Sequence, residues 1–142
     1  MLFDLYFGTT EGCQIYFKTK MEFREGEWYQ ASTANAVPTE PTTGAVVALD
    51  PGTGAVKWKF ETLNAPSSGM LSTAGGLIFA GDGQGYLFAL DARTGKPLWD
   101  FYTGATVNAP PVTYTLNGKQ YIAVASGMAM MTFALPEAAG GR

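Results

Sequence analysis

Residues 48–58 read ALDPGTGAVKW, and residues 89–99, which lie 41 positions further along the chain, read ALDARTGKPLW. Aligned without a gap, the longer segments 44–62 and 85–103 share nine identical residues, which chance does not place in register. A repeat of about this length predicts a small structural unit that stacks on copies of itself. The four-stranded antiparallel sheets, or blades, of a β-propeller are such units, because one blade alone cannot bury its faces.

Each copy of the repeat predicts two strands joined by a tight turn. A glycine supplies the positive φ that the turn needs, and the aspartate before it accepts hydrogen bonds from the backbone N–H groups of the turn. The tryptophan that closes each copy is expected to project onto the next sheet and to become buried there. These docking roles fall on Asp50, Gly54 and Trp58 in the first copy and on Asp91, Gly95 and Trp99 in the second.

The composition excludes several classes of function. With 9 basic and 12 acidic residues the chain has a formal charge of −3 and no basic cluster, so nucleic acid is not an expected partner. No apolar stretch is long enough for a membrane-spanning helix, and the first residues show no signal peptide. The chain has no histidine, which excludes catalytic triads that use histidine and metal sites that use imidazole. Cys13, the only cysteine, is expected to be a small buried residue.

We predict one all-β domain over residues 1–142, a partial β-propeller of Trp-docked, four-stranded antiparallel blades. Two short opening strands, 2–7 and 13–17, are separated by a polar turn. The chain is predicted to contain about two full blades, with an incomplete blade at each end. Because this arrangement leaves strand edges uncovered, we expect an incomplete protein. The predicted parts are 1–43 as the tail of a blade plus a long loop, 44–83 and 84–126 as blade repeats, and 127–142 as a closing strand and C-terminal tail.

Two further motifs are more specific than a general propeller repeat. They are Leu71-Ser72-Thr73-Ala74-Gly75-Gly76-Leu77-Ile78-Phe79 with Gly81-Asp82, and Pro111-Val112-Thr113-Tyr114 with Gly118-Lys119-Gln120-Tyr121-Ile122-Ala123-Val124. Together with the Ala-x-Asp-x-x-Thr-Gly-x-x-x-Trp pattern of both repeats, they resemble the C-terminal part of the pyrroloquinoline quinone (PQQ)-dependent alcohol dehydrogenases, which are eight-bladed quinoproteins. The opening strands and Gly26-Glu27-Trp28-Tyr29 are also similar to this family, so the resemblance covers nearly the whole chain.

The resemblance implies oxidation of an alcohol or similar substrate by PQQ in the periplasm, with calcium or a lanthanide polarising the quinone and an Asp acting as base. Electrons would pass to a cytochrome c, and the remaining blades of the same propeller would be the structural partners. In the family the metal-binding Glu and Asn, the catalytic Asp and the vicinal cysteines lie in earlier blades. We therefore predict no catalytic and no metal-binding residue in this chain, and we expect the chain alone to bind no cofactor.

The resemblance places this segment at the rim of the cofactor pocket, through loops at the inner ends of its strands. Gly69 and Gly127 match backbone positions of the family at this rim. Many members have a Trp near Ser67 and an Asn near Thr10 that reach the quinone, whereas this chain offers only Ser68 and Thr10 at these points. The alternative interpretation is that both glycines are turn glycines and that both polar residues serve their own loops.

Three functions remain open from the sequence. The first is a C-terminal portion of a PQQ-dependent dehydrogenase that is inactive as an isolated chain. The second is a non-enzymatic, Trp-docked propeller scaffold that binds protein partners, similar to the outer-membrane assembly lipoproteins. The third is a short protein that completes its propeller by oligomerising. The motifs around Thr73 and Lys119 favour the enzyme.

Overall fold

The computed structural model describes residues 4–18, 20, 22–29, 32–36, 42–66 and 68–136. These residues form strands and loops, and they include no helix that could cross a membrane. Short runs rich in aromatic and β-branched residues, separated by Gly-containing turns, account for this outcome. The strands are β1 (Leu5–Glu11), β2 (Gln14–Lys18), β3 (Ser32–Ala36), β4 (Thr43–Leu49), β5 (Val56–Thr62), β6 (Leu71–Ser72), β7 (Leu77–Gly81), β8 (Tyr86–Asp91), β9 (Pro97–Tyr102), β10 (Val112–Leu116), β11 (Lys119–Ser126) and β12 (Ala129–Phe133).

All neighbouring strands are antiparallel, which confirms the predicted all-β class. We name the sheets in chain order: the first sheet is β1-β4-β5, the second is β6-β7-β8-β9, and the third is β10-β11-β12. Strands β2 and β3 form a separate two-stranded ribbon. The second sheet has the four strands expected of a blade, and the first and third sheets have three described strands each.

The two copies of the repeat occupy the same place in the first and second sheets. The first copy forms β4 and β5 and the second forms β8 and β9, which are the last two strands of their sheets. Both hairpins carry a register shift directly after the alanine that opens the repeat. Phe133 in β12 corresponds to Phe88 in β8, so the third sheet holds counterparts of the first three strands of the second sheet.

Strand β1 continues through the stretch that we predicted to be a polar turn between the two opening strands, which corrects the sequence-based prediction. Strand β1 lies beside β4, with Glu11 opposite Thr43, and β2 pairs with β3 inside the segment that we predicted to be a loop. Gly8 suggested a turn but lies within β1, where a Cβ would come 2.9 Å from the carbonyl oxygen of Pro66. This glycine therefore permits the close approach of two chain segments. Cys13, between β1 and β2, is exposed rather than buried.

Two hydrophobic clusters join the three sheets in chain order. The first cluster lies between the first and second sheets, and the second lies between the second and third. Each fully buried aliphatic or aromatic side chain contributes about 1.5–3 kcal/mol, so these clusters account for much of the attraction between sheets. The buried members are Val46, Ile78, Ala80, Phe88 and Leu90 in the first cluster and Leu87, Val107 and Val124 in the second.

Candidate functional site

The predicted cofactor residues all lie at one edge of the stacked sheets, which we name the rim end. Strand β1 ends there at Glu11, β7 at Gly81 and β11 at Ser126. The connections from β5 to β6 and from β9 to β10 also begin at this edge, because β5 and β9, the last strands of their sheets, both end there. The predicted residues placed at the rim end are Thr10, Ser68, Gly69 and Gly127.

Ser68 is buried, with 6% of its surface exposed, and its hydroxyl is used inside the protein. The backbone N–H of Gly81 donates to Ser68 Oγ at 2.7 Å, and Ser68 Oγ donates to the carbonyl oxygen of Gly81 at 3.0 Å. A Cβ on Gly81 would collide with the side chain of Val107, so the glycine also permits Val107 to pack closely against the end of β7. Ser68 therefore ties the segment before β6 to the end of β7.

We expect Ser68→Ala to lower the free energy of unfolding by about 1–3 kcal/mol, because it leaves the buried Gly81 N–H without its acceptor. Urea unfolding followed by far-UV circular dichroism measures this change. The matched control is Ser72→Ala at an exposed position in β6, for which we expect a change within about 0.5 kcal/mol. Equal effects of the two substitutions would contradict the tethering role.

Both predicted rim glycines are explained by packing within the chain. Gly69 is exposed, and a Cβ there would lie 2.9 Å from Cβ of Pro110. Gly127 has a φ of +55°, and a Cβ there would lie 2.8 Å from Cβ of Ala105. The Gly127 N–H donates to the carbonyl oxygen of Thr106 at 3.2 Å. These contacts favour the turn-glycine interpretation without requiring a cofactor.

A buried hydroxyl pair that sequence reasoning missed connects the second and third sheets at the rim end. Thr103 Oγ1 and Ser126 Oγ lie 2.7 Å apart, and both residues are less than 9% exposed. Ser126 Oγ donates to the carbonyl oxygen of Ala105 at 2.8 Å. One signal was available, because the repeat places Thr62 where Thr103 stands, and each hydroxyl lies within hydrogen-bond distance of the carbonyl oxygen two residues later.

Trp58 reaches from the first sheet to the turn between β8 and β9 of the second. Its Nε1–H donates to the carbonyl oxygen of Ala92 at 3.0 Å, and its ring lies against Gly95. The Tyr6 hydroxyl donates to the same Ala92 oxygen, also at 3.0 Å. Sequence reasoning missed Tyr6, which lies outside the repeat and showed only as an aromatic residue in a strand. Two aromatic side chains of one sheet thus hold one backbone carbonyl of the next.

The turns of the two repeat copies use corresponding hydrogen bonds. Asp50 Oδ1 accepts from the backbone N–H groups of Gly52 at 2.9 Å and Thr53 at 3.1 Å. Asp91 Oδ1 accepts from Thr94, both from its backbone N–H at 2.9 Å and from its hydroxyl at 3.0 Å. The motif glycine that ends each turn has a φ of about +70°. The side-chain acceptor and the positive φ together fix each turn locally.

These hydrogen bonds lower the pKa of both aspartates, because they favour the charged carboxylate. The Gly52 N–H is the largest cause for the pKa of Asp50, and the Thr94 hydroxyl is the largest for that of Asp91. A carboxyl whose pKa is lower in the folded than in the unfolded chain stabilises the fold above its unfolded pKa. That stabilisation is lost as pH falls through the folded pKa, so acid weakens both turns.

Comparison with known proteins gives a consistent set of relatives. The PQQ_2 family model, described as outer membrane protein assembly factor BamB, matches residues 42–137. The chain is 43% identical over 84 residues to quinoprotein ethanol dehydrogenase of Pseudomonas aeruginosa, covering 59% of this chain and 14% of that protein. It is 44% identical over 89 residues to lupanine 17-hydroxylase (cytochrome c) of a Pseudomonas species, covering 63% and 13%. The solved structure of a europium-containing methanol dehydrogenase matches with a TM-score of 0.75 and 29% identity, covering 87% of this chain and 22% of that one.

The chain belongs to the PQQ-dependent alcohol dehydrogenase family. The match to a propeller dehydrogenase also confirms the prediction of a partial β-propeller. The chain spans only 14% and 13% of the length of the two curated relatives named above. What is established for this quinoprotein segment is therefore its family and fold.

Trp99 of this quinoprotein segment is docked less completely than Trp58. It is 38% exposed, and its ring centroid lies 5.4 Å from that of Phe133 in the third sheet. Within the described part of the chain its indole N–H has no acceptor. The reason lies in the sequence after Phe133, which continues Ala134-Leu135-Pro136 and lacks the Asp and Thr-Gly that form the docking turn in the first two sheets.

The described residues do not fit the metal that the quinoprotein family implies. No group of three or more His, Cys, Asp or Glu side chains among them could hold a metal ion. For PQQ, Gly69 and Gly127 offer exposed backbone at the rim end, whereas the Ser68 hydroxyl is occupied by Gly81. Among the described residues, two glycines thus leave exposed backbone at the rim end, and no ligand set for a metal is present.

Proposed function

We propose that this chain is a portion of a PQQ-dependent dehydrogenase that oxidises an alcohol or similar substrate. The observation that carries the proposal is the 43% identity to a quinoprotein ethanol dehydrogenase over 84 residues. The gathering of Thr10, Ser68, Gly69 and Gly127 at one edge supports a place at the rim of the PQQ pocket. In this proposal the three sheets act as scaffold, and the tethers of Ser68 and Thr103 keep the rim loops in position.

The proposal assigns the reaction to the whole propeller. PQQ, when bound, would accept the electrons of the substrate. The family resemblance implies calcium or a lanthanide beside it, and the similarity to a europium-containing methanol dehydrogenase supports a lanthanide. The remaining blades of the propeller are the expected structural partners. A cytochrome c is the expected electron acceptor, in keeping with the cytochrome c in the name of lupanine 17-hydroxylase, and the periplasm is the expected location by family.

We expect the purified chain, mixed with PQQ and calcium or a lanthanide, to show no alcohol-dependent dye reduction, because its described residues contain no metal-binding group. The informative experiment is a chimaera in which this chain replaces the matching segment of the Pseudomonas aeruginosa enzyme. We expect the chimaera to keep PQQ-dependent ethanol oxidation in a dye-reduction assay. The control without PQQ should be silent.

The two measurements separate the parts of the proposal. Turnover by the chain alone would show that the active site has been misplaced. A folded chimaera without PQQ-dependent turnover would contradict the assignment to this enzyme. Folding is checked independently by circular dichroism and thermal unfolding.

A second candidate is a non-enzymatic propeller scaffold that binds protein partners. One observation favours it, namely that the matching family model is described as an outer membrane protein assembly factor. The chimaera decides between the candidates, since a segment from a scaffold has no reason to support PQQ-dependent turnover. Retained activity would favour the enzyme.

A further inference from the structure

A two-residue turn joins β10 and β11 in the third sheet. Leu116 and Lys119 form the last paired residues, and Asn117 and Gly118 lie between them, both exposed to solvent. Both have positive φ, +52° at Asn117 and +77° at Gly118, as the tightest β-hairpin turns require. Asn117 is the only non-glycine residue with positive φ in the part of the chain that the structure describes.

This turn places a reactive pair of groups in water. A backbone nitrogen can attack the side-chain amide carbon of a preceding asparagine, and glycine hinders that attack least because it has no Cβ. In the described part of the chain the Gly118 N–H has no hydrogen-bond acceptor, because it lies in the turn and outside the β-ladder. No described residue therefore occupies the attacking nitrogen.

The other asparagines lack this combination. The sequence follows each of them with alanine, whose Cβ hinders the attack. Asn35 lies within the ladder between β2 and β3, and Asn64 lies in the connection after β5, where its carbonyl oxygen accepts from the Thr62 hydroxyl. The three internal reference sites are Asn35-Ala36, Asn64-Ala65 and Asn108-Ala109.

We propose that Asn117 is a site of spontaneous deamidation and isoaspartate formation. The Gly118 nitrogen bonds to Cγ of Asn117, the Cγ–Nδ2 bond breaks, and ammonia leaves with the proton of the attacking N–H. Water then opens the cyclic imide at either carbonyl, leaving aspartate or isoaspartate at this position. No enzyme or oxidant takes part, and the inference does not depend on the proposed function.

The isoaspartate product is incompatible with the turn. It adds a methylene to the backbone of a two-residue connection and a negative charge at its tip, so the pairing of Leu116 with Lys119 can no longer close. The stacked rings of Tyr114 and Tyr121, 5.2 Å apart between centroids, are held by the same pairing. Strand β11 runs from this turn to Ser126 at the rim end. Isoaspartate formation at the turn therefore loosens the strand that holds Ser126 at the opposite edge of the third sheet.

The test incubates the folded chain in mild alkali and maps its peptides by mass spectrometry. We expect the peptide with Asn117 to gain about 1 Da, which is the exchange of an amide NH₂ for OH, and to split into aspartate and isoaspartate forms. Conversion should be detectable there before it is detectable at the three Asn-Ala sites. An intact Asn117 in the folded chain, with conversion at an Asn-Ala site or only in urea, would overturn the proposal.

Two variants separate the deamidation of Asn117 from its effect on thermal stability. Asn117→Gly keeps a turn sequence that accepts positive φ and removes the reacting amide, so its melting temperature should not fall during incubation. Asn117→Asp adds the charge without the extra methylene and should keep most of the stability of the fresh protein. The aged parent should melt below both variants. If aged parent and aged Asn117→Gly melt alike while isoaspartate is present, the structural consequence is wrong.

Discussion

Replacing Trp58 by alanine is expected to lower the free energy of unfolding by about 3–5 kcal/mol. The substitution removes the hydrogen bond from the indole N–H to Ala92 and the packing of the ring against Gly95 and the first hydrophobic cluster. It also leaves Tyr6, whose ring centroid lies 5.8 Å from that of Trp58, without its neighbour. Denaturant unfolding followed by circular dichroism gives the value.

Trp99→Ala is the matched control, since it changes the same motif position in the second copy. Trp99 is 38% exposed, and its indole N–H has no acceptor among the described residues, so we expect a smaller loss of about 1–3 kcal/mol. A loss below about 1 kcal/mol for Trp58→Ala would contradict its docking role. Equal losses for the two variants would show that the hydrogen bond to Ala92 adds nothing.

Gly95→Ala is expected to cost about 3 kcal/mol or more, whereas Gly54→Ala is expected to cost about 1–2 kcal/mol. The two glycines occupy the same motif position and have nearly the same φ, +70° and +71°, so the strain of placing a side chain in the left-handed region is shared. They differ in their surroundings. A Cβ at Gly95 would lie 2.5 Å from Cε3 of Trp58, whereas a Cβ at Gly54 would meet nothing within 4 Å.

The double variant Trp58→Ala/Gly95→Ala tests this explanation directly. Removing the indole removes the atom with which the new Cβ collides, so the cost of Gly95→Ala should fall to that of Gly54→Ala. Chemical denaturation of the four proteins of this cycle measures the coupling. Additive effects, or equal costs of the two glycine substitutions in the parent, would show that Gly95 is required by the turn alone.

The repeat hairpins were predictable because the forces that form them are local. Asp50 and its counterpart Asp91 accept N–H groups two and three residues ahead, and Gly54 supplies the positive φ within the same turn. All of these atoms lie within a few residues along the chain. A sequence pattern therefore contains the whole interaction, and the Asn117-Gly118 turn between β10 and β11 follows the same local rule.

The polar turn after the first opening strand was predicted wrongly because the extent of strand β1 depends on contacts distant in sequence. Strand β1 pairs along its whole length with β4, which begins more than 30 residues later in the sequence. Strand β4 is almost fully buried and needs a neighbour on each side, which β1 supplies. Gly8, which looked like a turn signal, instead makes room for Pro66.

The hydrogen bonds made by the predicted site residues could not be read from the sequence. The sequence, through the family resemblance, predicted that Ser68 and Gly127 lie in loops at the rim of a cofactor pocket, and this stays a prediction; in the structure both lie at the rim end of the sheets. It gave no indication that the Ser68 hydroxyl turns inward to Gly81, or that Thr103 meets Ser126 across two sheets. A short polar side chain turns toward nearby backbone groups that still need a hydrogen-bond partner. In the folded chain those groups belong to segments that are distant in sequence.

The sequence by itself determined the antiparallel hairpins, their turns and the stacking of Trp-bearing sheets, because turn chemistry and apolar alternation act over a few residues. Only the tertiary structure decided that β1 completes the first sheet, that Tyr6 shares the Ala92 carbonyl with Trp58, and that Trp99 is left half-docked. These outcomes depend on where separate sheets meet. Contacts between sheets are set by the packing of the whole chain, which no local pattern encodes.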